Sequence, residues 1–176
     1  FDNEVGGSAH GLEKGGLTLF GRQVIKRLEE KKMIVDLAHA SPKLIDDVLA
    51  ISTQPLVVSH TGVAGTCPGP RNLTDQHLKA IAATGGVIGI GYWDGAICEA
   101  SISNIIKAIR YAVDLVGVEH VALGSDFDGS TTVPFDTSGL VQITQGLLDA
   151  GFSEPEVAAI MGGNVRDLLL QTLPED

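Results

Sequence analysis

His39 closes the apolar run Met-Ile-Val-Asp-Leu-Ala-His, and His60 closes Pro-Leu-Val-Val-Ser-His, 21 residues further on. That interval holds one strand-helix unit. In a parallel sheet it places two imidazoles side by side on adjacent strand ends, where neutral ring nitrogens can share a metal ion or serve neighbouring ones. Asp126 closes a later run, Val-Ala-Leu-Gly-Ser-Asp, and is expected to face the same pocket. Two histidines and an aspartate on strand ends make a metal-hydrolase pattern. Arg71 follows in Cys-Pro-Gly-Pro-Arg-Asn-Leu-Thr-Asp. A rim guanidinium held between prolines suits a substrate carboxylate, a charge-assisted contact of about 1.5 to 3 kcal/mol. Its position alone fits a surface ion pair equally well.

The remaining candidates read as bystanders. Asp36 lies three residues before His39 and on a regular strand points to the opposite face, as a structural or supporting group. His77 is expected on a helix surface, and His120 at the amino end of a strand, the end that serves stability in a barrel. His10 sits in the Gly-rich stretch 6–16 and is not assigned to the site. Cys67 and Cys98 have no C-x-x-C pairing and fit neither a disulfide framework nor a thiolate zinc site, so both are expected to be reduced.

The elements that must carry these residues alternate. Runs 33–38, 55–59, 85–92 and 120–125 are short, rich in Val and Ile and nearly continuous, as in parallel strands covered on both faces. Between them, 20–32, 42–51, 74–83 and 103–116 have helical periodicity, with Ser41 as N-cap and Pro42 at the first helical position. Ser153 with Glu156 forms a capping box, Gly162 and Gly163 end that helix, and a last helix runs from Asn164 to about Leu173. Strand-helix alternation leaves an open doubly wound sheet or a closed barrel. No G-x-G-x-x-G or Walker-type loop follows a strand, and the polar residues cluster at strand carboxyl ends, which favours the barrel.

The chain has 176 residues, 44% of them hydrophobic, and a net charge of −10. No basic patch is present, which argues against a nucleic-acid partner. No leader or membrane-spanning stretch is visible, and a cytoplasmic location is the expectation.

Five stretches, Gly-Leu-Thr-Leu-Phe-Gly (16–21), Val-Asp-Leu-Ala-His-Ala-Ser (35–41), Val-Ser-His (58–60), Arg-Asn-Leu-Thr-Asp (71–75) and Gly-Ser-Asp-Phe-Asp-Gly (124–129), resemble the membrane (renal-type) dipeptidases, peptidase family M19. Gly-Gly-Asn (162–164) extends the likeness. The resemblance implies a (β/α)₈ TIM barrel of the metal-dependent hydrolase type, shared with the amidohydrolases. About the last four βα units are present, with a leading loop over 1–19 and strands five to eight in 20–176 of a single domain. It implies two zinc ions per complete site, with His39 and His60 as ligands. Arg71 then holds the C-terminal carboxylate of a dipeptide, and Asp126 is the acid/base for attack by a metal-bridging hydroxide.

The family's first-strand His-x-Asp, third-strand bridging glutamate and fourth-strand histidine have no counterpart here, since no H-x-D occurs and no Glu ends an apolar run. The chain is therefore expected to be incomplete and inactive alone, with the N-terminal half of the barrel as its partner and a homodimer as a further family trait. Two alternatives stay open: an amidohydrolase acting on another amide or ester, and a non-catalytic half barrel that binds its missing half or another partner.

Overall fold

A computed structural model describes residues 1–174. Four parallel strands, β1 (Val35–Asp36), β2 (Leu56–Thr61), β3 (Val87–Ile90) and β4 (Val121–Leu123), lie in chain order in one sheet. The register runs Val35 to Leu56, Val57 to Val87 and Ile88 to Val121, with an irregularity between Val58 and Thr61. The expected strand order is thus observed. β1, β3 and β4 are shorter than their apolar runs, because a run also supplies the residues that turn off the sheet, whereas β2 extends two residues beyond its run to Thr61.

Eight α-helices accompany the sheet among the described residues: α1 (Leu19–Glu30), α2 (Pro42–Leu49), α3 (Asp75–Ala83), α4 (Asp94–Ile97), α5 (Ile102–Val116), α6 (Val141–Asp149), α7 (Glu154–Ala158) and α8 (Asn164–Thr172). Their starts follow from side-chain oxygens that accept otherwise unpaired backbone N–H groups. Thr18 accepts from Gly21, Ser41 from Leu44, Thr74 from His77 and Ser101 from Asn104. The capping box of Ser153 and Glu156 is formed, with Glu156 accepting from the Ser153 N–H at 2.7 Å. A π-turn (Ala159–Gly163) then joins α7 to α8 across a kink at Gly162.

Alternation along the strands separates two faces. Leu56, Val58, Ile88, Ile90 and Val121 are fully or almost fully buried and share one core with Val48 of α2, Leu78 and Ile81 of α3, Ile105 and Ile109 of α5, and Ile143 and Leu147 of α6. Fully burying such aliphatic side chains is worth about 1.5 to 3 kcal/mol each. The opposite face carries Val57, Val87 and Ala122, with Leu168 of α8 buried against them. Beyond that contact, Val165, Leu169, Leu170 and Leu173 are 38% to 74% exposed. Each outer strand also has one backbone edge without a strand neighbour among the described residues.

Two of the bystander histidines are placed by the packing. His77 is buried, not on a surface as expected, because α2 covers that side of α3 and Asp46 pairs with its Nε2 at 3.0 Å. His120 stands where expected, at the amino end of β4, with Nδ1 2.8 Å from the Gly86 carbonyl.

Asn164 ties α8 to the sheet. Its buried amide donates to the carbonyls of Val118 at 2.7 Å and Val121 at 2.8 Å. Asn164→Ala leaves both acceptors without that donor and should lower unfolding free energy by about 1 to 3 kcal/mol. Urea unfolding checks this, and an unchanged midpoint contradicts the anchoring role.

Candidate active site

The parallel pairing of β1 with β2 brings the two strand-end histidines together. Nε2 of His39 lies 2.9 Å from Nε2 of His60, one donating to the other's lone pair. Their ring centroids are 4.8 Å apart. His39 takes a left-handed backbone conformation, φ 65°, which turns the chain back over the strand end. A non-glycine residue in this region carries a conformational cost, and such residues cluster at functional sites. Asp126 has the same feature, φ 57°, and directs Oδ1 to within 4.0 Å of His60 Nε2. His39, His60 and Asp126 therefore meet at one end of the sheet, as expected from their positions.

Electrostatics keep His39 uncharged. Burial, then the nearby Arg71 charge and the His60 and His10 rings, push its pKa down to about 4, against a smaller opposing pull from Asp126. A neutral imidazole offers the lone pair that a metal needs. Two converging imidazoles fit part of a zinc ligand set, which usually has four members. Among the described residues no group of three or more His, Cys, Asp or Glu side chains could hold a metal ion.

Arg71 reaches the same place from the loop after β2. Its Nη2 donates to the His60 carbonyl at 3.0 Å, and its guanidinium carbon sits 5.8 Å from the centre of the Trp93 ring. Trp93 in turn meets the His60 ring at 5.9 Å. Burial lowers the Arg71 pKa, and Asp126 and then Asp36 counter it. The Arg71 Nε–H is buried without an acceptor. An unpaired buried donor is costly unless a ligand completes it.

The loop that aims Arg71 is held at the next residue. The buried Asn72 amide donates to the carbonyls of Cys67 at 2.7 Å, Gly95 at 3.1 Å and Ala96 at 3.2 Å. Gly62 leaves the room for it, since a Cβ there would overlap Asn72 and the Ala96 carbonyl. A disulfide joins Cys67 to Cys98 across the same two loops. The expectation of two reduced cysteines is therefore corrected. Their linear spacing gives no hint that the loops after β2 and β3 fold against each other.

His10 also belongs to this cluster, although it was not assigned to the site. The backbone of 7–9 pairs with that of 39–41, Ala9 N donating to His39 O at 2.8 Å and Ser41 N to Gly7 O at 3.1 Å. This pairing sets the His10 ring 5.4 Å from that of His39. No periodic pattern in the Gly-rich stretch marks such a bridge. Trp93 was likewise missed, although its place directly after an apolar run could have flagged it.

The family model for membrane dipeptidase (peptidase family M19) matches residues 2–172. The chain belongs to this family. A dipeptidase of Aspergillus oryzae, aclJ, is 33% identical over 88% of the chain and 39% of its own length. An uncharacterised protein of Klebsiella pneumoniae is 35% identical over 88% of the chain and 61% of its own. A metallo peptidase from Rhodobacter sphaeroides, solved with a phosphinate mimic of the dipeptide L-Ala-D-Ala, superposes with a TM-score of 0.84 at 30% identity, covering 89% of this chain and 47% of that one. The chain thus spans about 39% to 61% of the length of these relatives, and its four βα units are an arc of their barrel.

The disulfide makes a direct prediction. Thiol titration of the denatured, unreduced protein should find no free cysteine, and reduction should cost about 3 to 4 kcal/mol of stability for a loop of this length. Two titratable thiols would contradict the link.

Proposed function

We propose that the protein to which this arc contributes hydrolyses dipeptides as a zinc-dependent enzyme of the M19 type. The observation that carries this is the 2.9 Å approach of two imidazole nitrogens beside the Asp126 carboxylate and the Arg71 guanidinium. Family membership, and the dipeptide mimic bound to the Rhodobacter sphaeroides peptidase, support the substrate class. His39 and His60 would hold the metal, two ions per complete site. Zinc supplies Lewis acidity that polarises a carbonyl and makes water more acidic.

The chain's own residues do the rest. Asp126, with Oδ1 4.0 Å from His60 Nε2, would take the proton of the attacking water and hand it to the leaving amine. Arg71 pairs with the substrate's terminal carboxylate through donors that include the orphaned Nε–H, orienting the scissile carbonyl toward His39 and His60. A clamp on a terminal carboxylate sets the distance from chain end to scissile bond and so selects short peptides.

The same reading names a partner. Two open strand edges and the exposed apolar side of α8 are surfaces that soluble proteins cover, and the other half of a barrel covers both. The arc alone is then inactive and gains activity when that half is supplied. For compartment, the Cys67–Cys98 disulfide favours an oxidising environment over the cytoplasmic one expected, since such bonds persist mainly outside the cytosol.

Two substitutions in the active, metal-loaded protein separate the roles. Arg71→Ala should raise KM for dipeptides about 10- to 100-fold, the worth of a charge-assisted contact, and leave C-terminally amidated analogues unaffected. Equal losses on both substrates would remove the carboxylate clamp. Asp126→Asn should depress kcat by about 100-fold or more with zinc content retained. Near-normal kcat would remove Asp126 as proton carrier.

A further inference from the structure

β1 leaves the sheet in an unusual way. Leu37 N donates to Val57 O at 2.8 Å, the last backbone bond between β1 and β2. In a regular parallel ladder the next bond runs from Ser59 N to Leu37 O. Here Leu37 O instead accepts from Ala40 N at 3.0 Å, closing the turn that holds His39 at φ 65°. The stranded Ser59 N–H is taken by the side chain of Asp36, at 3.0 Å to Oδ1. The same oxygen accepts from Ala38 N at 2.9 Å. One carboxylate oxygen thus joins the residue before His39 to the residue before His60.

Ser59 passes this constraint to the imidazole. Its Oγ lies 2.9 Å from His60 Nδ1, which leaves Nε2 as the nitrogen that faces His39. Ser59 also sits in the irregular stretch of β2, where the register with β3 slips between Val58 and Thr61. Such irregularities re-aim side chains. The carbonyl of Ser59 leans toward Gly89 and Gly124, and a Cβ at either position would overlap it. The stretch is therefore fitted on one side by two glycines and tied on the other by Asp36.

We propose that Asp36 is a positioning residue: its Oδ1 replaces the ladder carbonyl that Leu37 withdraws, and so holds the two strand ends at the spacing that lets His39 and His60 meet. This rests on the reading of His39 and His60 as the metal-facing pair. Asp36 touches neither substrate nor reacting atoms and acts through Ala38 and Ser59.

Three variants of the intact protein test it, each read by amide hydrogen exchange, by zinc affinity in chelator competition, and by kcat and KM. Asp36→Ala removes the acceptor. Exchange at Ser59 and Ala38 should quicken about 10-fold or more while α5 and β3 stay protected, a local opening rather than global unfolding. Zinc affinity should fall about 10- to 100-fold, as for other groups that orient ligands, with kcat reduced and dipeptide KM little changed. Asp36→Asn keeps a carbonyl oxygen in place and should keep protection and most of the zinc affinity. Asp36→Glu keeps the charge but displaces the oxygen by a methylene, and should behave like Ala; these two variants carry the test if Asp36→Ala does not fold.

Unchanged exchange in Asp36→Ala overturns the proposal. So does the reverse order, with Glu normal and Asn defective, which assigns the effect to negative charge near Arg71. Quickened Ser59 exchange in a protein whose wild type binds no zinc supports the backbone clamp and rejects the metal reading, so the two failures are distinguishable.

Discussion

The convergence of two imidazoles depends on one constraint, the parallel pairing of β1 with β2 in the register Val35 to Leu56. That register brings residues 21 positions apart to the same end of the sheet. A one-residue slip would turn every side chain of one strand to the opposite face. The buried alternation of β2 guards against such a slip, because Leu56 and Val58 are 0% and 1% exposed while Ser59 lies open on the other face. The apolar core thereby sets the site.

Once the strand ends are fixed, the loops supply the chemistry and are held by local devices. The Arg71 loop is pinned by the Asn72 amide and by the Cys67–Cys98 link, and its guanidinium lies against Trp93. The leading loop is pinned to 39–41 and brings His10 beside His39. Burial and the Arg71 charge hold His39 neutral.

The fold was legible where the physics is periodic. Continuous Val and Ile runs announced β2 and β3, helical periodicity announced α2, α3 and α5, with Ser41 as the cap of α2, and the strand-end rule located His39, His60 and Asp126. Strand length was less legible, because 33–38 is apolar apart from Asp36 although only Val35–Asp36 pairs as strand. What depends on contact between loops could not be read. Cys67 and Cys98 meet only because the segments after β2 and β3 pack together, and His77 is buried only because α2 lies over it. Asn72 and Asn164 stand in recognisable motifs, yet their roles emerge only from the carbonyls they reach. Asp36 reads from sequence as a structural or supporting group, and the bonds it accepts from Ala38 and Ser59 depend on a turn at Leu37 that no spacing foretells.

X-ray absorption at the zinc edge of the metal-loaded protein tests the central claim most directly. The account predicts imidazole scattering at the roughly 2.0 to 2.1 Å typical of zinc–histidine bonds, diminished in His39→Ala and again in the double variant with His60→Ala. A spectrum unaltered by either change would mean that the two rings face each other without binding the ion, and would contradict the account.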